Sequence, residues 1–133
     1  MEPTLYILMR SDIQDMNPGK AMAQAAHAQA DFDEWATELM DWPEHSQDII
    51  DQVDVWKENR SFGRTLVLSA TKAEIEAVAL ATQFAGVTVD PTYPWRNYYG
   101  DVFLSNEVTC GWLFVCSVND YNKSLVADLK LHK

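Results

Sequence analysis

The stretch TLYILMRSDIQDMNPGKAMAQAAHA, residues 4–28, decides the fold, because it places an apolar strand pattern directly before a capped helix. Its first seven residues are mostly apolar and predict a strand. Asn17 is a typical N-cap residue, and Pro18 suits the first helical position, so a helix is predicted to begin there. Apolar residues at three- and four-residue spacing predict that this helix continues to about Met40.

Helix and strand patterns alternate along the rest of the chain. Three further helices are predicted: about 44–59, from the capping box of Thr71 and Glu74 to Gly86, and from Asn119 or Asp120 to about Leu129. Four further strands are predicted at 64–70, 87–89, 101–105 and 111–118, with a proline-containing loop at 90–97.

This order predicts one α/β domain over residues 1–133. We expect three layers, α/β/α, around a mixed sheet of four to five strands, with an acidic helical insertion at about 31–62. The chain has no apolar stretch long enough for a membrane span, and its acidic, short apolar start is not typical of a secretory signal. A cytoplasmic protein without a membrane partner is expected.

The net charge of −10 is concentrated in one segment. Residues 31–60 hold ten acids and two bases, a net charge of −8, whereas 1–30 and 61–133 carry −1 each. No basic cluster is present, which argues against a nucleic acid as the main ligand.

Cys110 and Cys116 are predicted to be reduced and buried on one strand face. No cofactor and no metal site are expected.

Four polar residues form one stripe on the first helix. Lys20, Gln24, His27 and Asp31 follow a spacing of four, three and four residues. Lys20 lies in the first turn, where free backbone N–H groups favour anions and a cation is unfavourable. Taken singly, these residues are read as a solvated lysine, a surface glutamine and a histidine that caps a loop. Taken together, they predict an anion-binding site.

The chain resembles the type-2 peptidyl-tRNA hydrolases. The resemblance rests on the first strand, Arg10-Ser11-Asp12, Gly19-Lys20, Ala23-Gln24 and His27-Ala28, and more loosely on AGVTV at 85–89 and the end at Leu129-Lys130-Leu131. It covers most of the chain except about 31–62. It implies that family's fold and, for an active member, release of tRNA from peptidyl-tRNA by ester hydrolysis.

The resemblance also implies a set of site residues. Lys20 matches the family's lysine, which works with an aspartate from a later loop, and Arg96 takes the place of an arginine. Tyr93 stands where that aspartate is expected, Asn97 where a threonine is expected, and Thr109 or Cys110 in place of a second threonine. Asp90 precedes the expected position by three residues.

Hydrolysis therefore requires Asp90 to reach the site, because a tyrosine with a pKa of about 10 is a poor base. An active enzyme would use Lys20, Asp90 and His27 as catalytic residues. Loss of the chemistry is the expectation that we favour.

Four aromatic residues surround Arg96: Tyr93, Trp95, Tyr98 and Tyr99. They either stack on a base beside a phosphate, or seal a sheet edge or a dimer interface. In the acidic segment, Trp35, Trp42 and Trp56 are read either as a small core or as a partner surface, with the core favoured for each.

Three functions follow as hypotheses. The first is a non-catalytic protein that holds a small phosphate-bearing nucleotide, with a ligand set of Lys20, Gln24, His27, Tyr93, Trp95, Arg96, Asn97, Tyr98 and Thr109. Such a protein could sequester a host nucleotide immune signal in the host cytoplasm for a virus. The second is an active peptidyl-tRNA hydrolase. The third is an acidic protein-interaction module. A homodimer or higher homo-oligomer is expected.

Overall fold

The computed structural model describes residues 2–41, 46–59 and 63–132. Four strands are present: β1 (Thr4–Arg10), β2 (Arg64–Ala70), β3 (Ala85–Arg96) and β4 (Val102–Val115). Three α-helices are present within the same residues: α1 (Pro18–Glu38), α2 (Ser46–Glu58) and α3 (Lys72–Ala81). Two 3₁₀ helices, Leu39–Asp41 and Asp120–Val126, follow α1 and β4.

The four strands form one open mixed sheet in the order β2-β1-β4-β3. β1 and β2 are parallel, whereas β4 runs antiparallel to both β1 and β3. β1 is central and buried along six of its seven residues, as its apolar pattern predicted. The predicted α/β class and the mixed sheet, with four strands, are confirmed.

Helices cover both faces of the sheet. α1 and α2 pack on one face, in a core that includes Phe32, Trp56 and Phe114. α3 and the C-terminal 3₁₀ helix pack on the other, where Ile75 and Val126 meet strand residues. The three-layer arrangement follows from the period-two alternation of β1, which sends successive side chains to opposite cores.

The acidic helices belong to the main core rather than to a small core of their own. The ring of Phe32 lies 5.3 Å from that of Trp56 and 5.1 Å from that of Phe114 on β4. Trp35 packs on Trp112, with ring centres 5.1 Å apart. Trp42 lies outside the described residues. The tryptophans of α1 and α2 therefore serve packing, while most carboxylates of these helices face outward.

Gly63 is required by the same packing. Its φ of +80° favours glycine, and a Cβ there would come within 2.3 Å of the Trp56 ring. The indole Nε1 donates to the Arg64 carbonyl oxygen at 2.7 Å. Trp56 thus joins the end of α2 to the beginning of β2.

Both predicted caps are present. The Asn17 side chain accepts from the Lys20 backbone N–H at 2.9 Å, and Pro18 occupies the first turn of α1. Thr71 and Glu74 form the reciprocal capping box of α3. Such side chains satisfy the free N–H groups of a helix start, which is why they could be recognised in the sequence.

The prediction that α3 ends at Gly86 was wrong. The helix ends at Ala81, because Thr82 is extended and its hydroxyl accepts from the Phe84 N–H. Gly86 lies in β3 instead, where a Cβ would come within 2.8 Å of the Trp112 indole nitrogen. The glycine therefore makes room for a core tryptophan and does not stop a helix.

The predicted loop at 90–97 was also wrong, since β3 continues to Arg96. β3 is an edge strand, where proline is tolerated, and its register shifts between Asp90 and Tyr93. The two strands predicted at 101–105 and 111–118 are one strand, β4.

The last predicted helix is the 3₁₀ helix Asp120–Val126. The Asn119 side chain does not cap it, because its amide instead bonds the backbone of Cys116 and Phe114.

Candidate functional site

Lys20 reaches from the first turn of α1 to the edge strand β3. Its ammonium donates to the Pro94 carbonyl oxygen at 2.8 Å and lies 5.4 Å from the centre of the Tyr93 ring. Among residues 2–41, 46–59 and 63–132, no carboxylate forms an ion pair with it. The ammonium therefore has unused hydrogen-bond donors for a ligand.

The ring of Tyr93 lies next to the Lys20 ammonium. Its side chain is fully buried, and its hydroxyl donates to the Gln14 carbonyl oxygen at 2.7 Å. Burial, followed by the nearby carboxylate of Asp15, raises the pKa of Tyr93 above 10.0. A buried, neutral ring of this kind packs next to the lysine and offers no free face for stacking on a base.

One helical turn beyond Lys20, Gln24 joins α1 to both strands of the hairpin. Its amide nitrogen donates to an Asp90 carboxylate oxygen at 2.8 Å, and its amide oxygen accepts from the Thr109 hydroxyl at 2.6 Å. Gln24 is only 3% exposed, and Thr109 is fully buried. The alternative interpretation of Gln24 as a surface residue is therefore wrong, because its amide is fixed inside the protein.

A β-bulge explains how Thr109 reaches α1. Thr88 pairs with Cys110, but Val89 pairs with Val108, so Thr109 is the extra residue on β4. A bulge changes the direction of the side chain that it inserts. Thr109 and Cys110 consequently both contact α1, where the Cys110 thiol lies 3.2 Å from the Gln24 carbonyl oxygen.

Asp90 is held as an oriented carboxylate. One oxygen accepts from Gln24, and the other accepts from the Thr92 N–H and hydroxyl. Burial raises its pKa, but the hydrogen bonds from Gln24 and Thr92 and the charge of His27 outweigh burial, so the pKa lies below 3.8. The stability that this ionised form contributes is present above its unfolded pKa and is lost as the pH falls through the lowered one.

His27 and Asp31 complete the helix stripe. His27 is exposed and lies close enough to Asp90 to favour its charged form. Burial is the main reason why the pKa of the Cys110 thiol rises to about 11. The charge of Asp31, which is half-buried, also raises this pKa. Both cysteines are free and buried, as predicted.

The end of the hairpin is organised by its own contacts. The Asn97 side chain accepts from the N–H groups of Tyr99 and Asp101, and the Arg96 guanidinium donates to the Gly100 carbonyl oxygen. The turn begins three residues beyond Pro94, about 10 Å further along the strand. Tyr98 lies in this turn, next to Tyr99.

Trp95 lies between these two regions. Its ring stacks on Phe103 at 4.9 Å, and its Nε1 donates to Ser105. The ligand roles of Trp95, Arg96, Asn97 and Tyr98 stay predictions.

The structure groups Lys20, Gln24, His27 and Asp90 in one place, which we call the α1–β3 site.

Two supporting residues, Gln14 and Asp15, were not predicted from the sequence. Gln14 donates to the Arg96 carbonyl oxygen at 2.9 Å, and the Asp15 carboxylate accepts from the Arg96 N–H. Asp15 has a φ of +65°, an uncommon value for a residue other than glycine. The polar run before Asn17 was the only signal in the sequence, and it does not specify a partner 81 or 82 residues away.

Within the described residues, no group of three or more histidine, cysteine, aspartate or glutamate side chains could hold a metal ion. Within the same residues, no helix combines the length and apolar character that crossing a membrane requires.

No protein-family model matches the chain. No curated protein matches it closely enough to count as a relative.

Proposed function

We propose that this protein is a non-catalytic binding protein that holds a small, phosphate-bearing nucleotide at the α1–β3 site. The observation that carries the proposal is that the Lys20 ammonium, which has no ion pair among the described residues, lies on the same helix stripe as Gln24, which holds the carboxylate of Asp90. Lys20 and Gln24 are one helical turn apart, a spacing of about 5–6 Å between their Cβ atoms, so both charged groups lie beside one side of α1.

Lys20 and Asp90 would bind different groups of the ligand. Lys20 donates hydrogen bonds, so it suits a phosphate oxygen. Asp90 is ionised and can only accept, so it suits a ribose hydroxyl or a base N–H and repels phosphate. Exposed His27 lies one turn beyond Gln24 on the same stripe and can contact either part. A molecule with an anionic end and a donor-rich end, such as a nucleotide, satisfies both.

A crossed binding experiment tests this assignment. Lys20→Ala is expected to weaken binding of nucleoside monophosphates or cyclic dinucleotides about tenfold to a hundredfold, the scale of a charge-assisted hydrogen bond. The same change should leave binding of the corresponding nucleosides nearly unchanged. Asp90→Asn should weaken binding of both classes. The measurement is calorimetric titration of each variant with each ligand, after a thermal-shift screen of the parent to choose the nucleotide.

Lys72→Ala is the matched control, because Lys72 also lies in the first turn of a helix but is exposed and lies 3.8 Å from Glu76. It should bind like the parent. A Lys20→Ala protein that binds phosphorylated ligands as tightly as the control, with a similar melting temperature, would contradict the proposed phosphate contact. If no nucleotide raises the melting temperature, the binding proposal itself fails, since a ligand at a hundred times Kd adds about 2.7 kcal/mol.

An active peptidyl-tRNA hydrolase is the second candidate function. It is favoured by one observation: Asp90 already lies against α1 through Gln24, so a carboxylate reaches the lysine-bearing helix despite its early position in the sequence. Against it stand the low pKa of Asp90, which makes it a weak base, and the lack of a basic cluster.

Turnover decides between these two functions. If the protein is a hydrolase, Asp90→Asn should lower the rate of tRNA release from peptidyl-tRNA by about a hundredfold or more, the scale of a general base. Release is followed by separating charged from free tRNA on an acidic gel. Equal rates for parent and variant would remove Asp90 from catalysis. Absence of both turnover and nucleotide binding would leave the exposed carboxylates of α1 and α2 as the functional surface, the acidic interaction module.

A further inference from the structure

The largest exposed apolar region among the described residues lies at the end of the β3–β4 hairpin. Five side chains there are at least 44% exposed, and we call them the hairpin surface: Tyr98, Tyr99, Val102, Phe103 and Leu104. The other exposed apolar side chains of the described chain are scattered over α1, α2, α3, the start of β3 and the segments after β4. Single exposed apolar residues are ordinary, whereas a contiguous group marks an interaction site.

Both faces of the hairpin end carry exposed apolar side chains. Val102 pairs with Arg96, and Leu104 pairs with Pro94, so these two side chains share one face. Phe103 points to the other face, because neighbours on a strand alternate. A two-stranded ribbon is only marginally stable without a covering layer. The hairpin therefore extends past the α layers that cover the rest of the sheet, and a partner that packs on it would stabilise it.

We propose that the hairpin surface is the interface through which two copies of this chain associate. The area is sufficient. An aromatic side chain can bury about 150–250 Å², and Tyr98 and Tyr99 are 96% and 84% exposed. With Val102 and Leu104, which share one face, added, the surface approaches the roughly 600 Å² per partner at the lower end of specific interfaces.

The charges favour a second copy over a nucleic acid or an anionic membrane. The hairpin carries one cation, Arg96, and one anion, Asp101, between residues 91 and 106, whereas most of the chain's negative charge lies in residues 31–60. A two-fold axis brings a surface against itself, so Arg96 of one copy can meet Asp101 of the other. A single cation is too little for a nucleic acid or an anionic membrane, and the chain's net charge of −10 opposes both.

Sedimentation velocity over a wide range of protein concentration tests the proposal. The parent is expected to shift from monomer to dimer as concentration rises. Because each copy carries a charge of −10, moderate salt should favour the dimer by screening their repulsion. The double variant Tyr99→Ser/Leu104→Ser should raise the dimer Kd roughly tenfold or more, since central aromatic residues dominate interfaces.

A matched control exists on the rest of the surface. Tyr121 and Leu80 are 68% and 89% exposed, so Tyr121→Ser/Leu80→Ser removes the same two residue types elsewhere. This control should dimerise like the parent, and circular dichroism should show both doubles folded. A parent that stays monomeric at every concentration and salt level would overturn the proposal. So would a dimer that the control weakens as much as the hairpin variant does.

Discussion

Replacement of Trp56 by alanine is expected to lower the free energy of unfolding by about 3–5 kcal/mol, the cost of removing a large aromatic side chain from a core. Trp56 is 2% exposed and lies near the end of α2, which carries four acids and one base. Its ring meets the edge of Phe32 at 5.3 Å and of Phe114 at 6.4 Å. Alanine would leave a cavity between α2, α1 and the sheet, and it would remove the donor to the Arg64 carbonyl oxygen.

Equilibrium urea unfolding, followed by far-UV circular dichroism, measures this loss. Val55→Ala is the control, because Val55 is the preceding residue on the same helix but is 46% exposed, and surface changes cost about 0.5 kcal/mol or less. Trp56→Phe should fall between the two, since it keeps ring packing but not the hydrogen bond. A loss below about 1 kcal/mol for Trp56→Ala would mean that α2 is held to the sheet by other contacts.

The parts of the fold that could be predicted from the sequence are those with local causes. Asn17 and the Thr71–Glu74 pair stabilise helix starts through hydrogen bonds within four residues, and Pro18 does so through its fixed backbone angle, so none of these effects depends on the rest of the chain. β1 is a continuous apolar run because a central strand is covered on both faces. The buried residues Ile49, Val53 and Trp56 of α2 likewise follow helical spacing, which is a local pattern.

The segment from Thr82 to Val115 was predicted poorly, because its structure depends on partners distant in sequence. Gly86 is explained by Trp112, which lies 26 residues later. The prolines at 91 and 94 predict a loop on local grounds, yet an edge strand with a register shift accommodates them. Strand pairing between β3 and β4 then overrides the breaks that local composition suggested.

The candidate site shows the same division. The stripe of Lys20, Gln24 and His27 follows from helical periodicity and lies on one side of α1 as predicted. What the sequence could not show is the bulge that sends Thr109 to Gln24, since a bulge is a property of two paired strands. It also could not show that Gln24 orients Asp90, a residue 66 positions away.

The bonds of Gln24 make it the second site of large expected effect. Gln24→Leu keeps the size of the side chain but removes both of its hydrogen bonds inside the protein. The Thr109 hydroxyl is then fully buried without that partner, and Asp90 loses its donor from α1. An unsatisfied buried group costs about 1–3 kcal/mol, and a bond to a charged group is worth about 1.5–3. We expect a combined loss of about 2–4 kcal/mol in unfolding free energy, measured by urea denaturation.

The double variant Gln24→Leu/Thr109→Val tests the reason for that loss. Each single change leaves the other partner buried and unsatisfied, whereas the double change replaces both by apolar groups, which can be nearly neutral. The double should therefore be more stable than the sum of the singles predicts, by clearly more than the roughly 0.3–0.5 kcal/mol within which independent sites add. Gln29→Leu, an exposed position of the same helix, controls for the substitution itself. Additive losses would show that Gln24 and Thr109 are not coupled.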